Sequence, residues 1–258
     1  PEGLLNQTET IKGVDDNEIK LYITRPAEIS GNLPGILHIH GGGMAIMTAD
    51  DPNYIYWRQK LASTGLIVIG VEFRNTAGIL GEHPFPAGLN DCVSALKWVY
   101  ENKKKLGISK IIVSGESGGG NLSIATGLKA KEDGIINYID GVYAQCPYIS
   151  NLYNKGENEL KSLIENNAYF LRTDDLGLTA SLYDGIESKN PIAWPYHADK
   201  TMLEGLRALL VLLNFNLKLR IFSLLGCYCI RELCIGLLEL LQLLELIIVE
   251  VSLPLLSA

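Results

Sequence analysis

The sequence is poor in histidine. It holds four, at positions 38, 40, 83 and 197, and neither a histidine beyond His197 nor an aspartate beyond Asp199 occurs. Imidazole chemistry of any kind is therefore confined to residues 38–197. The five cysteines are irregularly spaced and form no C-x-x-C pair. That excludes a disulfide framework and points to free thiols in a reducing, cytoplasmic compartment. Cys227 and Cys229, with Cys234 nearby, make a metal-like spacing, but no histidine stands close enough to complete a ligand set, so no metal is expected. A basic tract is also lacking. The net charge is −7, and Lys103-Lys104-Lys105 reads as the solvated end of a helix, which argues against a nucleic-acid partner. No signal peptide opens the chain, and it begins at Pro1 rather than Met, as a fragment would.

What is present is organised around Ile111-Ile112-Val113-Ser114-Gly115-Glu116-Ser117-Gly118-Gly119. A β-branched run ends in G-x-S-x-G and a helical pattern follows, which is the context of a nucleophile elbow. A serine on so sharp a turn sits in strained backbone, and the residues two before and two after it must be nearly free of side chain. Ser117 then stands at a helix N-terminus, where backbone N–H groups face a developing oxyanion. Taken alone, the motif is equally compatible with a glycine-rich turn without chemistry. A second motif, His40-Gly41-Gly42-Gly43 after the strand-like Gly35-Ile36-Leu37, matches the oxyanion loop of lipases and esterases. The N–H groups of Gly42, Gly43 and Gly118 are the expected oxyanion donors. His40 is expected to brace the loop, and His38 to face the other side of its strand.

The rest of the pattern alternates strands and helices. Thr8–Val14 and Glu18–Thr24 read as an antiparallel hairpin. Tyr54–Thr64 reads as a helix closed by Gly65, and Leu66–Phe73 as a strand apolar on both faces. Ala87–Asn102 and Asn121–Lys131 read as helices, Ile139–Tyr143 as a strand, and Pro191–His197 as a rigid, non-helical connector. The fold class is α/β, with a mostly parallel, doubly wound sheet in a single domain spanning 1–258.

The two motifs and several further stretches resemble the hormone-sensitive-lipase-like branch of the α/β-hydrolases. The stretches are residues 13–19, Phe73-Arg74-Asn75, His83-Pro84-Phe85-Pro86, 140–144, 147–150 and 191–196. The resemblance runs from Thr8 to about Gly205. It implies an α/β-hydrolase fold, carboxylic-ester hydrolysis through an acyl-serine at Ser117, a small-molecule ester as partner and no cofactor. It implies that the loop Arg74–Pro86 braces the oxyanion loop, which makes Arg74 and His83 structural. It also implies that residues 151–188 form a partial helical lid. Tyr148, Tyr169 and Phe170 either line an acyl or alcohol pocket or simply pack the insertion.

After about residue 206 the sequence departs from this pattern. The fold delivers the acid and then the base of the triad after the nucleophile, yet Leu209–Leu213 is followed by Asn214, Phe215 and Asn216, and no histidine comes. Glu204, Glu232, Glu239, Glu245 and Glu250 are acids without a base. Residues 206–258 are dominated by leucine, and three readings stay open: a frame-shifted or truncated esterase product, a divergent end in a catalytically inactive hydrolase-like binding protein, or a membrane or partner helix. The uncharged runs there reach about ten residues, against ~20 needed to span a bilayer, which weighs against the last.

Overall fold

The computed structural model describes residues 2–28, 30–153, 164–165, 167–169 and 171–206, and the backbone alone of 208–211. The chain divides after Leu213, and all of these residues lie in the first unit. The Leu-rich stretch from 212 onward, Phe170 and residues 154–163 of the expected lid lie outside the described residues.

Strands β1 (Leu4–Lys12) and β2 (Glu18–Pro26) form the expected hairpin, with Ile11 opposite Ile19. After it come β3 (Leu33–Ile39), α1 (Pro52–Ala62), β4 (Ile67–Glu72), α2 (Ala87–Leu106), β5 (Ile108–Glu116), α3 (Gly118–Glu132) and β6 (Gly141–Gln145). Helix α4 (Thr173–Tyr183), the short α5 (Lys200–Leu203) and β7 (Ala208–Val211) follow. The sheet order is β1-β2-β4-β3-β5-β6-β7; the first two pairings are antiparallel and the others parallel.

Helices cover both faces of the sheet, and β4 shows why. Its residues are all buried. Gly70 faces the Arg58 side chain of α1, whereas Ile69 and Val71, pointing the opposite way, join Leu89, Cys92 and Leu96 of α2 in the main core. A strand buried on both sides needs the continuous apolar run seen in its sequence. Helix α2 runs four residues beyond the expected end, through Lys103–Lys105, and closes at Gly107 with φ 74°. Lysines in a last turn meet the negative end of the helix dipole, so they extend the helix rather than fray it. Helix α3 starts three residues earlier than its apolar periodicity suggests, because Gly118, Gly119 and Gly120 are themselves helical. The connector 191–197 is not free of helix: Pro195–His197 forms one 3₁₀ turn, which proline at its first position permits.

The strand order fixes where a ligand can bind. The connection leaving β3 runs to β4 on one side, and the one leaving β5 runs to β6 on the other. The carboxyl ends of β3 and β5 therefore border the crevice of a topological switch point, the place where open α/β sheets bind ligands. His40-Gly41-Gly42-Gly43 leaves β3 there, and Ser117 leaves β5 there.

Candidate active site

Ser117 has φ 54° and ψ −117°, a conformation that costs a non-glycine residue about 1–3 kcal/mol and needs surrounding structure to hold it. Three backbone bonds do so: Ser117 N–H donates to Gln145 O at 3.0 Å, and Ser117 O accepts from Tyr148 N at 2.9 Å and Asn121 N at 3.0 Å. The glycines on either side are required by contact. A methyl group on Gly115 would overlap Ile39 O and the Gly119 backbone, and one on Gly119 would overlap Ile39 O and His40 O. The elbow is thus pressed against the carboxyl end of β3, where Ile39 pairs with Gly115.

The loop leaving β3 turns through positive φ at Gly42 (94°), Gly43 (65°) and Met44 (60°). It meets the elbow at Gly118, where a methyl group would lie 2.7 Å from Gly43 N and 2.6 Å from Met44 N. The structure therefore brings Gly43 and Gly118 together. Among the described residues, the N–H groups of Gly42, Gly43 and Gly118 have no protein acceptor. Ser117, Gly42 and Gly43 are partly exposed, while Gly118 is buried.

His40 is fully buried and stacked on Phe73 with ring centroids 4.3 Å apart, and its Nδ1 lies 2.9 Å from Gly41 O. Burial pushes its pKa down to about 4, so at neutral pH it is an uncharged loop support. His38 does not face away from it. Both rings lie against Tyr54, with centroids 5.9 and 5.4 Å from it. Residues two apart on a strand share a face, and that rule decides the outcome here. His38 Nε2 stands 3.7 Å from Glu116 Oε2.

Glu116 stands between the motif's glycine and serine, at a position the motif leaves open. Its Oε1 accepts from Gly41 N at 2.8 Å, and the Tyr54 hydroxyl lies 3.0 Å from the same nitrogen. Burial alone would raise its pKa, but the His38 ring and the Tyr54 hydroxyl hold the carboxyl below its usual range. Nothing in the local sequence signals a contact that spans 75 residues.

The segment after β4 braces the glycine loop from the other end. Met44 O accepts from Thr76 N at 2.9 Å and Oγ1 at 3.1 Å, Ala45 O from Ala77 N, and Met47 O from Asn75 Nδ2, the last two at 2.9 Å. His83 donates its N–H to Asn75 O and sets Nε2 2.9 Å from Leu80 O, as a loop residue. Arg74 pairs with Asp15 at 2.7 Å and with the fully buried Asp91 at 2.9 Å, tying the β1–β2 turn to α2. Behind the loop, Glu72 Oε2 accepts from Ala49 N at 2.8 Å and Arg58 donates to Ala49 O. Burial, with Asp50 and Asp51 nearby, pushes Glu72 up to about 7.

On the β6 side, Tyr148 is buried against Trp194 and donates its hydroxyl to Leu176 O, so it packs the insertion rather than lining an open pocket. Tyr169 is exposed. Helix α4 reaches the oxyanion loop, with Thr179 Cγ2 facing Gly43. His197 Nε2 lies 3.1 Å from Asn151 Oδ1, and Asn151 Nδ2 donates to the carbonyls of Gly185, Ile186 and Ser188. Among the described residues no group of His, Cys, Asp or Glu is placed to hold a metal, and no helix is long and apolar enough to cross a membrane.

A strained serine at the switch point, pressed against a glycine loop, defines a class of protein, and comparison with known proteins specifies it. The alpha/beta hydrolase fold family matches residues 36–216, and the chain belongs to that family. It is similar to the solved structure of brefeldin A esterase, described as a bacterial homologue of human hormone-sensitive lipase. The identity is 46%, the TM-score 0.78, and the match covers 81% of this chain and 60% of that one. It is also similar to a bacterial heroin esterase, at 27% identity and TM-score 0.70, covering 81% and 66%. In sequence it is 35% identical to carboxylesterase NlhH of Mycobacterium tuberculosis over 124 residues, 47% of this chain and 37% of that protein. It is 28% identical to an amyloplastic tuliposide A-converting enzyme of Tulipa gesneriana over 158 residues, 55% and 40%. The matches span about two fifths of these curated relatives' length. The lineage is that of carboxylesterase-like α/β-hydrolases.

Proposed function

We propose that this site performs the acyl-transfer half of carboxylic-ester hydrolysis on a small-molecule ester, with Ser117 as nucleophile and the N–H groups of Gly42, Gly43 and Gly118 as the oxyanion hole. The observation that carries the reading is the juxtaposition of the strained Ser117 and Gly118 with Gly43 in a partly exposed crevice. As Ser117 Oγ adds to the ester carbonyl, the carbonyl oxygen gains charge, and unpaired N–H groups fixed beforehand stabilise it without reorganising. The esterase names of the relatives support the same class of substrate, and the free thiols Cys92 and Cys146 support a reducing, cytoplasmic setting.

The weak point of the site is proton removal. A neutral serine hydroxyl is a poor nucleophile, and a triad base normally takes its proton. His40 is buried and bonded to its own loop, His83 is bonded to Leu80, and His197 is bonded to Asn151. Loss of a triad base costs up to ~10⁶ in turnover, while the oxyanion hole and binding retain roughly 10³ over water. The 258-residue chain is therefore expected to hydrolyse short-chain p-nitrophenyl esters marginally above background.

The test compares the wild type with Ser117→Ala and His197→Ala. Weak turnover that Ser117→Ala leaves nearly unchanged fits the reading. Strong turnover abolished by Ser117→Ala refutes the missing base, and its loss in His197→Ala as well would name that base. The second reading, a catalytically inactive hydrolase-like binding protein, is favoured by the engagement of His197 with Asn151; it requires an ester or acid to bind with no turnover at all.

A further inference from the structure

We propose that Glu116 is a positioning residue: its carboxylate holds the Gly41 N–H and thereby sets the backbone of residues 41–44 opposite Ser117. This inference rests on the oxyanion-hole reading and names the side chain that aligns it.

Three observations converge. First, Gly41 is a meeting point. Its N–H faces Glu116 Oε1 at 2.8 Å and the Tyr54 hydroxyl at 3.0 Å. A methyl group there would lie 2.8 Å from Glu116 Oε1, 3.0 Å from the Tyr54 oxygen and 3.3 Å from Glu116 O. The glycine is needed because these groups occupy the space of a side chain.

Second, the loop has two anchors of different kinds. Downstream, Thr76, Ala77 and Asn75 hold the carbonyls of Met44, Ala45 and Met47. Upstream, the side-chain anchors on the loop's N–H groups, among the described residues, are Glu116 and Tyr54 on Gly41. Gly42, Gly43 and Met44 lie between the two anchors at positive φ, so both ends must be fixed for their N–H groups to keep one direction.

Third, the upstream anchor is covalently next to the nucleophile. Glu116 closes β5 and Ser117 follows it directly. Two adjacent residues therefore carry the serine and the contact that registers the loop against it. The carboxylate is supported in turn by the Tyr54 hydroxyl and by His38 at 3.7 Å. A charge-assisted hydrogen bond of this kind is about twice as strong as a neutral one.

The geometry separates substitutions that otherwise look alike. Glutamine can reach Gly41 N with its amide oxygen, so Glu116→Gln keeps the anchor but weakens it. Alanine removes the carboxylate and leaves the Gly41 N–H with the Tyr54 hydroxyl alone. The probe is the amide signal of the intact, ¹⁵N-labelled 258-residue chain, which does not depend on turnover. In Glu116→Ala, hydrogen exchange at the Gly41 N–H is expected to quicken by ~10-fold or more and the Gly42–Met44 amide signals to shift, while the β5 amides Ile112–Ser114 keep their protection. In Glu116→Gln, the Gly41 amide proton is expected to move upfield, because a neutral acceptor replaces a carboxylate, and Gly41 protection is expected to return in large part. Unchanged Gly42–Met44 amides in a folded Glu116→Ala chain would overturn the proposal. So would a Gly41 signal that does not move in Glu116→Gln, the variant that preserves shape and so guards against a folding failure. A failure of the esterase reading would appear separately, as equal p-nitrophenyl acetate hydrolysis by the wild type and Ser117→Ala at every concentration of added imidazole, with the amide result intact.

Discussion

The carboxyl ends of β3 and β5 and the carboxyl end of β6 border the same crevice, but they are built on different terms. On the β3–β5 side, backbone meets backbone: Gly115 and Gly119 press on Ile39 O, and Gly118 faces Gly43 N. On the β6 side, the polar groups that could serve chemistry are side chains already tied to one another, His197 to Asn151 and Asn151 to three carbonyls. The first region leaves main-chain N–H groups without a protein acceptor among the described residues, and the second uses its polar groups to hold an insertion. On the proposed reading, the first region supplies the anion cradle and the second supplies no base.

The comparison implies an order of sensitivity. Gly119→Ala should have the largest effect, because a methyl group would collide with main-chain oxygen that cannot move without breaking β3–β5 pairing. A loss of at least ~4 kcal/mol, or of the cooperative urea transition altogether, is expected. A cooperative transition shifted by less than about 1 kcal/mol would show that the elbow is not pressed on β3.

Asp91→Ala comes next. It leaves Arg74 without its buried partner and removes the acceptor of Asn17 Nδ2, so the β1–β2 turn and the segment after β4 both lose their tie to α2. Removal of one partner of a buried pair costs ~3–5 kcal/mol, and Asp15, half exposed, cannot make it good. Urea unfolding of the variant at neutral pH checks the figure.

A third prediction concerns pH. Glu72 holds its proton up to about 7 in the folded chain, against a usual value of 4.5. The folded state binds the extra proton, so this group's contribution to stability is full below 4.5 and is lost as pH rises through 7. His40 works the other way: its folded pKa of about 4 lies below the usual 6.5, so stability is lost as pH falls from 6.5 to 4. The two slopes oppose each other in the wild type. Glu72→Gln removes one of them and should gain stability relative to the wild type as pH rises from 4.5 to 7, by up to about 3 kcal/mol. A difference that stays constant across this range would contradict the burial assigned to Glu72.

His197→Ala should have the smallest effect, about 1 kcal/mol for one hydrogen bond to Asn151, with no change in residual ester turnover. A drop in turnover would move His197 from the insertion to the catalytic side of the comparison.

How much of this was legible in the sequence follows the same division. The elbow and the glycine loop could be read, because close backbone approach can be met by glycine alone, and glycines at 115, 119, 42 and 43 record it. The buried β4 could be read from its unbroken apolar run. Three things could not. The contact of Glu116 and Tyr54 with Gly41 joins residues far apart in the chain, and no local pattern encodes it. The helical state of Gly118–Gly120 contradicts glycine's own preference and goes with packing against the glycine loop, the end of β3 and Pro147. The burial of Tyr148 depends on Trp194 and Leu176, which the topology brings to it. His38 is a different case: the two-residue strand period places it beside His40, and applying that rule would have found it.

The central claim is that nucleophile and anion cradle are built while the base is not supplied, and imidazole added to the solvent tests it most directly. Imidazole can take the Ser117 proton as Oγ bonds to the ester carbon, leaving p-nitrophenolate and an acyl-serine that water then cleaves. The measurement is p-nitrophenyl acetate hydrolysis by the wild type and Ser117→Ala at rising imidazole, each corrected for the solution reaction. The account predicts a wild-type rate that climbs with imidazole and a Ser117→Ala rate that stays at the solution value. Equal rates for the two proteins at every imidazole concentration would show that Ser117 is not an addressable nucleophile, and strong wild-type turnover without imidazole, lost in Ser117→Ala, would show that the chain already holds its base.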